Sequence, residues 1–554
     1  MRSAALDHPR PPVADQERYR RLGYWLPETF GDFVAERTTR FAGNTALIAP
    51  GIDGTEIRWT YAELADQAER SAGRLLAAGV TPWDRVLLSL PNVAEYLGVL
   101  LGCFRLGAVP IFALPTHREA ELAQFCAIAD PAAWVHAAED DLLDAVADRA
   151  GELGVEPPAA IDVRTWPADR AARAGRPPAL PLAATTPADL AFLQLSGGTT
   201  GISKLIPRAA EEYLYSVRAS AEICGLDAST VMLVVLPAAH NFPLSSPGIL
   251  GTLHVGGTIV FAPDPSPRTA FGLIESERVT DVALVPPLAQ AWISAARRRR
   301  PDLSSLRTVQ VGGARLSDVV AAEVRPVLHG RLQQVFGMAE GLVNYTRHDD
   351  PDDLVRTTQG RPISAEDEIR IVDRADRDVP EGEIGALLTR GPYTIRGYYG
   401  APSWTAAVND SSFTADGYYR TGDLVRRLPS GHLVVTGREK DQINRAGEKV
   451  ATEEIEGPLL AHPAVLDAVA VGVPDHYLGE RICVVIRTEP DAPRPTDLGR
   501  HLRAAGLAEH KIPDSFEYLE EFPVTGVGKN SRRELRRVLA AQLGDRTASA
   551  TAGS

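Results

Sequence analysis

Apolar residues recur in two alternating rhythms along the first part of the chain. In WTYAELADQAERSAGRLLAAGV (59–80) they return every three to four positions, which predicts an amphipathic helix. Thr60, with Glu63 three residues later, has the reciprocal pattern of a capped helix start. DRVLLSLP (84–91) is a short apolar run and predicts a buried strand. EYLGVLLGCFRLGAV (95–109) predicts an apolar helix ending near Gly107, and IFALP (111–115) another strand. This alternation is the mark of a parallel sheet with helices on its faces.

A second series follows, with VMLVVLP (231–237), GTIVFAP (257–263), DVALVPP (281–287) and TVQVGG (308–313) as strands and helices between them. Between the two series, residues 153–188 are rich in Pro, Ala and Arg with weak periodicity, and are expected to be a surface excursion. From about Ile369 the pattern changes to short strands and turns (EIRIVD, GALLTRG, HLVVTG), which suggests a small β-rich subdomain. The polar segment GREKDQINR (437–445) separates this from an α+β pattern of helix (451–462), strand (465–473), strand (480–488), helix (497–507) and final helix (531–543). Residues 1–30 are expected to be a loose arm with a short helix, and the last ten small, polar residues to be disordered.

A chain of 554 residues is too long for one core, so two or more domains are expected. The net charge of −14 argues against general binding to nucleic acid or to an anionic membrane. The one basic run, Arg297 to Arg300, precedes Pro301 and suits a solvated helix end. Cys103, Cys126, Cys224 and Cys483 are far apart and form no metal or disulfide pattern. Neither a signal-peptide core nor an apolar span of membrane length occurs, so a cytoplasmic enzyme is expected.

The sharpest local signal is LQLSGGTTGISK (193–204). An apolar strand runs into Ser196, Gly197, Gly198, Thr199, Thr200 and Gly201, and then Lys204. Glycines let the backbone turn and aim N–H groups at an anion, hydroxyls add donors, and lysine adds charge. The chemistry implied is phosphate cradling, although the G-x-x-x-x-G-K-[ST] spacing is absent.

From this loop onward the chain resembles the acyl-adenylate-forming superfamily. VFGMAEG (335–341), YRTGD (419–423), GREKDQINRAGEK (437–449) and PVTGVGK (523–529) follow in the order of that superfamily, over about residues 25–540. HNFPLSSPG (240–248), FGMAEGLVNYT (336–346), LLTRGPYTIRGYY (387–399) and AHPAVLDA (461–468) look like its stand-alone aryl-acid–AMP ligases, including the 2,3-dihydroxybenzoate enzymes. The resemblance implies an α/β fold, with two β/α sheet subdomains and a small β-barrel-like subdomain in a large N-terminal domain (1–437). A hinge (438–442), a small mobile α+β C-terminal domain (443–543) and a disordered tail (544–554) would follow.

It also implies roles. Residues 196–201 and Lys204 would hold the ATP phosphates, and Glu340 with Thr200 would serve a Mg²⁺ that bridges them. Gly312, Gly313, Ala314, Val335, Phe336, Gly337, Met338, Ala339 and Val435 would line the adenosine site. Asp423 would chelate the ribose hydroxyls with Arg438 as a second contact. Lys529 would enter the site for adenylation, alongside Lys204, Glu340 and His240 as catalytic residues. After a rotation about Lys440, the 437–449 segment would face the site for thioester formation, with Gly447 bordering a pantetheine tunnel; Ala446 stands where close relatives often have Gly. By residue type alone, Glu340 also suits a helix start, Lys529 a solvated loop and His240 a core position.

The acid site is carried over onto His240, Asn241, Phe242, Ser246, Gly312, Val335, Gly341 and Val343. Asn241 offers a donor and an acceptor to a group ortho to the carboxylate. The pair Phe242/Ser246 is mixed: Phe resembles the salicylate ligases, and Ser the 2,3-dihydroxybenzoate ligases. A 3-hydroxyl would be accepted by Ser246 and rejected by a dry pocket. That favours 2,3-dihydroxybenzoate and leaves salicylate and 3-hydroxypicolinate open. The expected cofactors are ATP and Mg²⁺. No carrier module is evident after residue 540, so the thiol acceptor would be a phosphopantetheine arm on a separate aryl carrier protein, or coenzyme A. A monomer or homodimer is expected.

Overall fold

The computed structural model describes residues 8–166, 184–196, 203–446, 448–475, 477–488, 492–526 and 529–539. Among the candidate residues, Gly197, Gly198, Thr199, Thr200, Gly201 and Gly447 lie outside these, as does the tail 544–554.

The helix Tyr61–Ala77 begins at the expected box: Thr60 Oγ1 accepts from the Glu63 N–H, and the Glu63 carboxylate accepts from the Thr60 N–H. Its buried face, including Tyr61, Leu64, Ala68 and Leu75, packs on the apolar helix Ala94–Leu106. Both helices contact the strand Thr45–Pro50 of another sheet, and the second of them also lies on a six-stranded sheet. Its order is Ala159–Asp162, Ala133–His136, Arg85–Ser89, Val109–Phe112, Leu190–Leu195 and Leu205–Ala209, parallel except for the last pair. The expected surface excursion at 153–188 is thus corrected in part. Ala159–Asp162 is the edge strand; being half-exposed, it lacks the apolar run that would have marked it.

A second sheet has nine strands, ordered Arg361–Pro362, Gly341–Tyr345, Arg331–Met338, Thr308–Gly312, Asp281–Leu284, Val231–Val234, Thr258–Phe261, Thr45–Pro50 and Glu56–Thr60. Its six central strands run parallel. Their carboxyl ends therefore share one rim, the place where open α/β sheets bind ligands. The segments leaving that rim include Ala238–Ser246, Gly312–Ala314 and Ala339–Glu340. The β-rich subdomain is a four-stranded antiparallel sheet of Glu368–Val372, Gly385–Arg390, Tyr419–Arg427 and Leu433–Arg438.

Sheet membership changes after Arg438. One 3₁₀ turn, Glu439–Asp441, leads into a separate sheet built from Ile443–Arg445, Glu448–Val450, Val465–Asp475, Gly479–Thr488 and Ser515–Tyr518. The helices Thr452–Leu460 and Pro495–Ala504 pack on it over a core of its own. Arg532, near the start of the last helix, pairs with Glu456 and donates to the Ala470 carbonyl at 2.8 Å. It also approaches Asp441 of the 3₁₀ turn at 3.7 Å. The four cysteines are buried and free. No helix among the described residues is long and apolar enough to cross a membrane.

Candidate active site

Ser196 and Lys204, which flank residues 197–202, are tied to each other. Ser196 N–H donates to the Lys204 carbonyl at 3.1 Å, and Lys204 N–H donates to Ser196 Oγ at 3.0 Å. Lys204 Nζ lies 3.4 Å from Tyr398 Oη, 3.5 Å from Ser412 Oγ and 4.5 Å from the Tyr398 ring centre. Burial holds its pKa below the usual lysine range; nearby Glu340 opposes that shift and Lys440 adds to it. Lys204, Lys440 and Glu340 thus share one electrostatic neighbourhood.

Glu340 occupies a two-residue turn, not a helix start. The strands Arg331–Met338 and Gly341–Tyr345 pair antiparallel, with Met338 opposite Gly341, and Ala339–Glu340 close the hairpin. Buried Glu340 accepts from Tyr398 Oη at 3.1 Å, and Tyr419 Oη lies 3.4 Å from Tyr398 Oη. A magnesium ion that takes most of its ligands from phosphates and water needs one or two carboxylates. Glu340 fits that requirement as a single buried carboxylate beside Lys204, and no group of three or more His, Cys, Asp or Glu side chains that could hold a metal ion occurs among the described residues.

Asp423 and Arg438 are brought together by strand register. They face each other across the antiparallel pair Tyr419–Arg427 and Leu433–Arg438, and Arg438 Nε donates to Asp423 Oδ1 at 2.9 Å. Burial raises the Asp423 pKa, while the Arg438 and Lys529 charges oppose that rise. Phe336 and Val435 share a small apolar cluster with Leu342, Leu387 and Val425. An apolar wall therefore stands near the Asp423 acceptor.

Lys529 crosses from the C-terminal sheet's domain into this rim. A β-carbon on Gly313 (φ +85°) would stand 2.6 Å from Lys529 Cε and 3.1 Å from Nζ, so the bare glycine is what admits the side chain. Burial and the Arg438 charge hold the Lys529 pKa down to about 8, against the attraction of Asp423. Lys529 in turn helps depress the His240 pKa to about 3, after burial, the larger cause. His240 is therefore neutral at working pH. Its Nδ1 accepts from the Phe242 N–H at 3.3 Å, which assigns the proton to Nε2 and makes that nitrogen a donor. Because Lys529 is charged only below its own pKa, kcat/KM for ATP is expected to fall as pH rises through about 8. A Lys529→Arg variant that keeps activity should lose that alkaline limb in a pH–rate profile.

Next to these groups is a small pocket, partly open to solvent. Asn241, Ser246, Met338, Ala339, Gly341 and Val343 line it. A β-carbon on Gly312 would meet Phe242 Cζ and Val335 Cβ, each at 3.1 Å, so those three positions also converge. Arg208 borders the pocket, but its charge is committed elsewhere. It donates to the Ala339 and Tyr393 carbonyls at 3.0 and 2.8 Å, and its Nε lies 3.2 Å from Glu212 Oε1. Ala314 and Lys440 are exposed, Ala314 at the rim beside Gly313 and Lys440 on the 3₁₀ turn. Ala446 adopts φ +54°, a left-handed conformation that its β-carbon disfavours.

Sequence reasoning missed Tyr398, Tyr419 and Ser412 beside Lys204 and Glu340, and Arg208, Tyr213, Ser245 and Tyr393 around the pocket. Tyr398 and Tyr419 do fall within the quoted motifs LLTRGPYTIRGYY and YRTGD, which was the available signal. Tyr213 lies in an ordinary helix pattern and gave none.

The AMP-binding enzyme model matches residues 34–399, and the AMP-binding enzyme C-terminal domain model matches 454–529. The chain is 50% identical over 533 residues to a 2,3-dihydroxybenzoate-AMP ligase of Bacillus subtilis, covering 95% of this chain and 96% of that one. It is 43% identical to a salicyl-AMP ligase / salicyl-S-ArCP synthetase of Mycobacterium tuberculosis, covering 95% and 93%. Among solved structures, the apo MbtA of Mycobacterium smegmatis is 42% identical with a TM-score of 0.72, covering 96% of this chain and 99% of that one.

Proposed function

The chain belongs to the AMP-binding enzyme family, and we propose that it joins an aryl carboxylic acid, 2,3-dihydroxybenzoate, to AMP and then passes the acyl group to a phosphopantetheine thiol. The observation that carries this reading is Lys529 lying on Gly313, with its charge felt by both His240 and Asp423. A cation there stands between the acid pocket and the ribose acceptor, where a carboxylate oxygen would meet the α-phosphorus.

Asp423 accepts the ribose hydroxyls, and Phe336 and Val435 pack on the adenine. His240 Nε2–H and Lys529 orient the carboxylate. The carboxylate oxygen attacks the α-phosphorus in line and pyrophosphate leaves, held by Lys204 and the 196–201 loop. Glu340 and Thr200 would hold a Mg²⁺, which would supply positive charge against the phosphates. The thiol sulfur then attacks the acyl carbonyl and AMP departs. The second step follows a rotation of residues 443–543 about 438–442, which withdraws Lys529 and presents the segment around Gly447. The acceptor is an aryl carrier protein, and the setting is siderophore or peptide-antibiotic synthesis in the cytoplasm.

Ser246 favours the 3-hydroxylated acid. Ser246→Ala is expected to lower kcat/KM for 2,3-dihydroxybenzoate about tenfold relative to salicylate, the worth of one buried hydrogen bond. Steady-state kinetics with the two acids checks it. Acid-dependent ATP–pyrophosphate exchange tests the function over 2,3-dihydroxybenzoate, salicylate, 3-hydroxypicolinate, benzoate and an aliphatic acid. Exchange with the aliphatic acid alone would sink the aryl reading. Thioester formation on coenzyme A but on no aryl carrier protein would replace the acceptor.

A further inference from the structure

Tyr213 lies on the helix Ala210–Ile223, outside every motif, yet it lines the same pocket as Asn241, and its hydroxyl is turned to the Asn241 amide. It is 2.6 Å from Asn241 Oδ1 and 2.6 Å from Ser245 Oγ. A phenol has one proton to give. Ser245 Oγ–H has two acceptors in reach, the Asn241 backbone carbonyl at 3.4 Å and the Tyr213 oxygen at 2.6 Å; given to the nearer one it supplies the Tyr213 oxygen, and the amide of buried Gln194 lies beside the same oxygen. The one phenolic proton is then committed to Asn241 Oδ1. Arg208, 4.9 Å from the Tyr213 ring centre, holds that ring in place. With its oxygen engaged by the protein, Asn241 turns its Nδ2–H₂ group toward the pocket that it lines, and that nitrogen has no protein partner among the described residues.

We propose that Tyr213 is a specificity-determining positioning residue: by fixing the Asn241 carboxamide, it makes the pocket a dedicated donor that selects aryl acids with a hydrogen-bond acceptor ortho to the carboxylate. This rests on the aryl-acid reading above. In a 2-hydroxybenzoate the phenolic hydrogen points to its own carboxylate, which leaves the phenolic oxygen free to accept from Asn241 Nδ2. A ring nitrogen in the same position accepts equally well. In a 2-aminobenzoate the ring withdraws the nitrogen lone pair, and the second N–H is aimed at another N–H. That pair leaves two donors facing each other in a confined site, an arrangement a polar pocket rejects strongly.

Tyr213→Phe removes the lock and lets the amide rotate. The test is pyrophosphate exchange with salicylate and 2-aminobenzoate, each normalised to benzoate, which has no ortho group. In Tyr213→Phe the salicylate/benzoate ratio of kcat/KM should fall and the 2-aminobenzoate/benzoate ratio should rise, so that their quotient changes about tenfold or more. Ser245→Ala should shift the same quotient in the same direction by less, and it serves if Tyr213→Phe folds poorly. An unchanged quotient in both variants, with all three acids slowed alike, would reduce Tyr213 to a packing role and overturn the proposal. A wild-type enzyme inert toward every aryl acid would overturn the aryl reading and this proposal together, so the two failures are distinguishable.

Discussion

Lys529→Ala is expected to slow acyl-AMP formation about a thousandfold while leaving thioester formation from preformed acyl-AMP within a few-fold of wild type. The charge that builds up as a carboxylate attacks the α-phosphorus has only a few fixed cations near it. Lys204, 3.4 Å from Tyr398 Oη, would be on the phosphate side. Arg438 is committed to Asp423 at 2.9 Å. Lys529 is the cation that lies on Gly313, with its charge felt by His240, and would face the acid. Removing it leaves the reacting oxygens without their nearest donor, and water would replace it with donors that must reorganise. Single-turnover assays of the two half-reactions separate the effects. Equal loss in both would contradict the view that the C-terminal domain uses different faces for the two steps.

Asp423→Ala should raise the ATP requirement more than a hundredfold, with a small change in the KM for the acid. Asp423 is a buried carboxylate, and each hydrogen bond it would accept from a ribose hydroxyl is worth about 1.5–3 kcal/mol. Its removal also strands Arg438 and strips Lys529 of the anion that supports its protonated form. A second effect follows from that. The alkaline limb of kcat/KM, set by Lys529, should move to lower pH in Asp423→Ala, because the loss of a neighbouring negative charge lowers a lysine pKa. ATP binding isotherms and a pH–rate profile of the variant check both effects. An unchanged limb would mean that the two side chains are not electrically coupled.

The elements of the fold were legible where one physical signal dominated. Thr60 and Glu63 set a helix start by local hydrogen bonds, and the runs at 231–234, 258–261, 281–284 and 308–312 are apolar enough to be read as buried strands. Ala159–Asp162 was not legible, because an edge strand half-open to solvent needs no apolar run. In the site, residue types named the candidates but not their contacts. That Asp423 faces Arg438 is a matter of strand register between segments fifteen residues apart. That Glu340 stands in a hairpin turn depends on Gly341–Tyr345 folding back on the preceding strand. Tyr213 meets Asn241 only because a helix packs behind the rim of a different sheet. Such contacts carry no local pattern for a sequence to display.

The central claim is that the acid's own oxygen is joined to the α-phosphorus of ATP. It is tested most directly by running one round of activation and transfer with carboxyl-oxygen-18 2,3-dihydroxybenzoate, then analysing the nucleotide and phosphate products by mass. One labelled oxygen in AMP and none in pyrophosphate is the expected result. ADP with labelled inorganic phosphate, or unlabelled AMP, would contradict it.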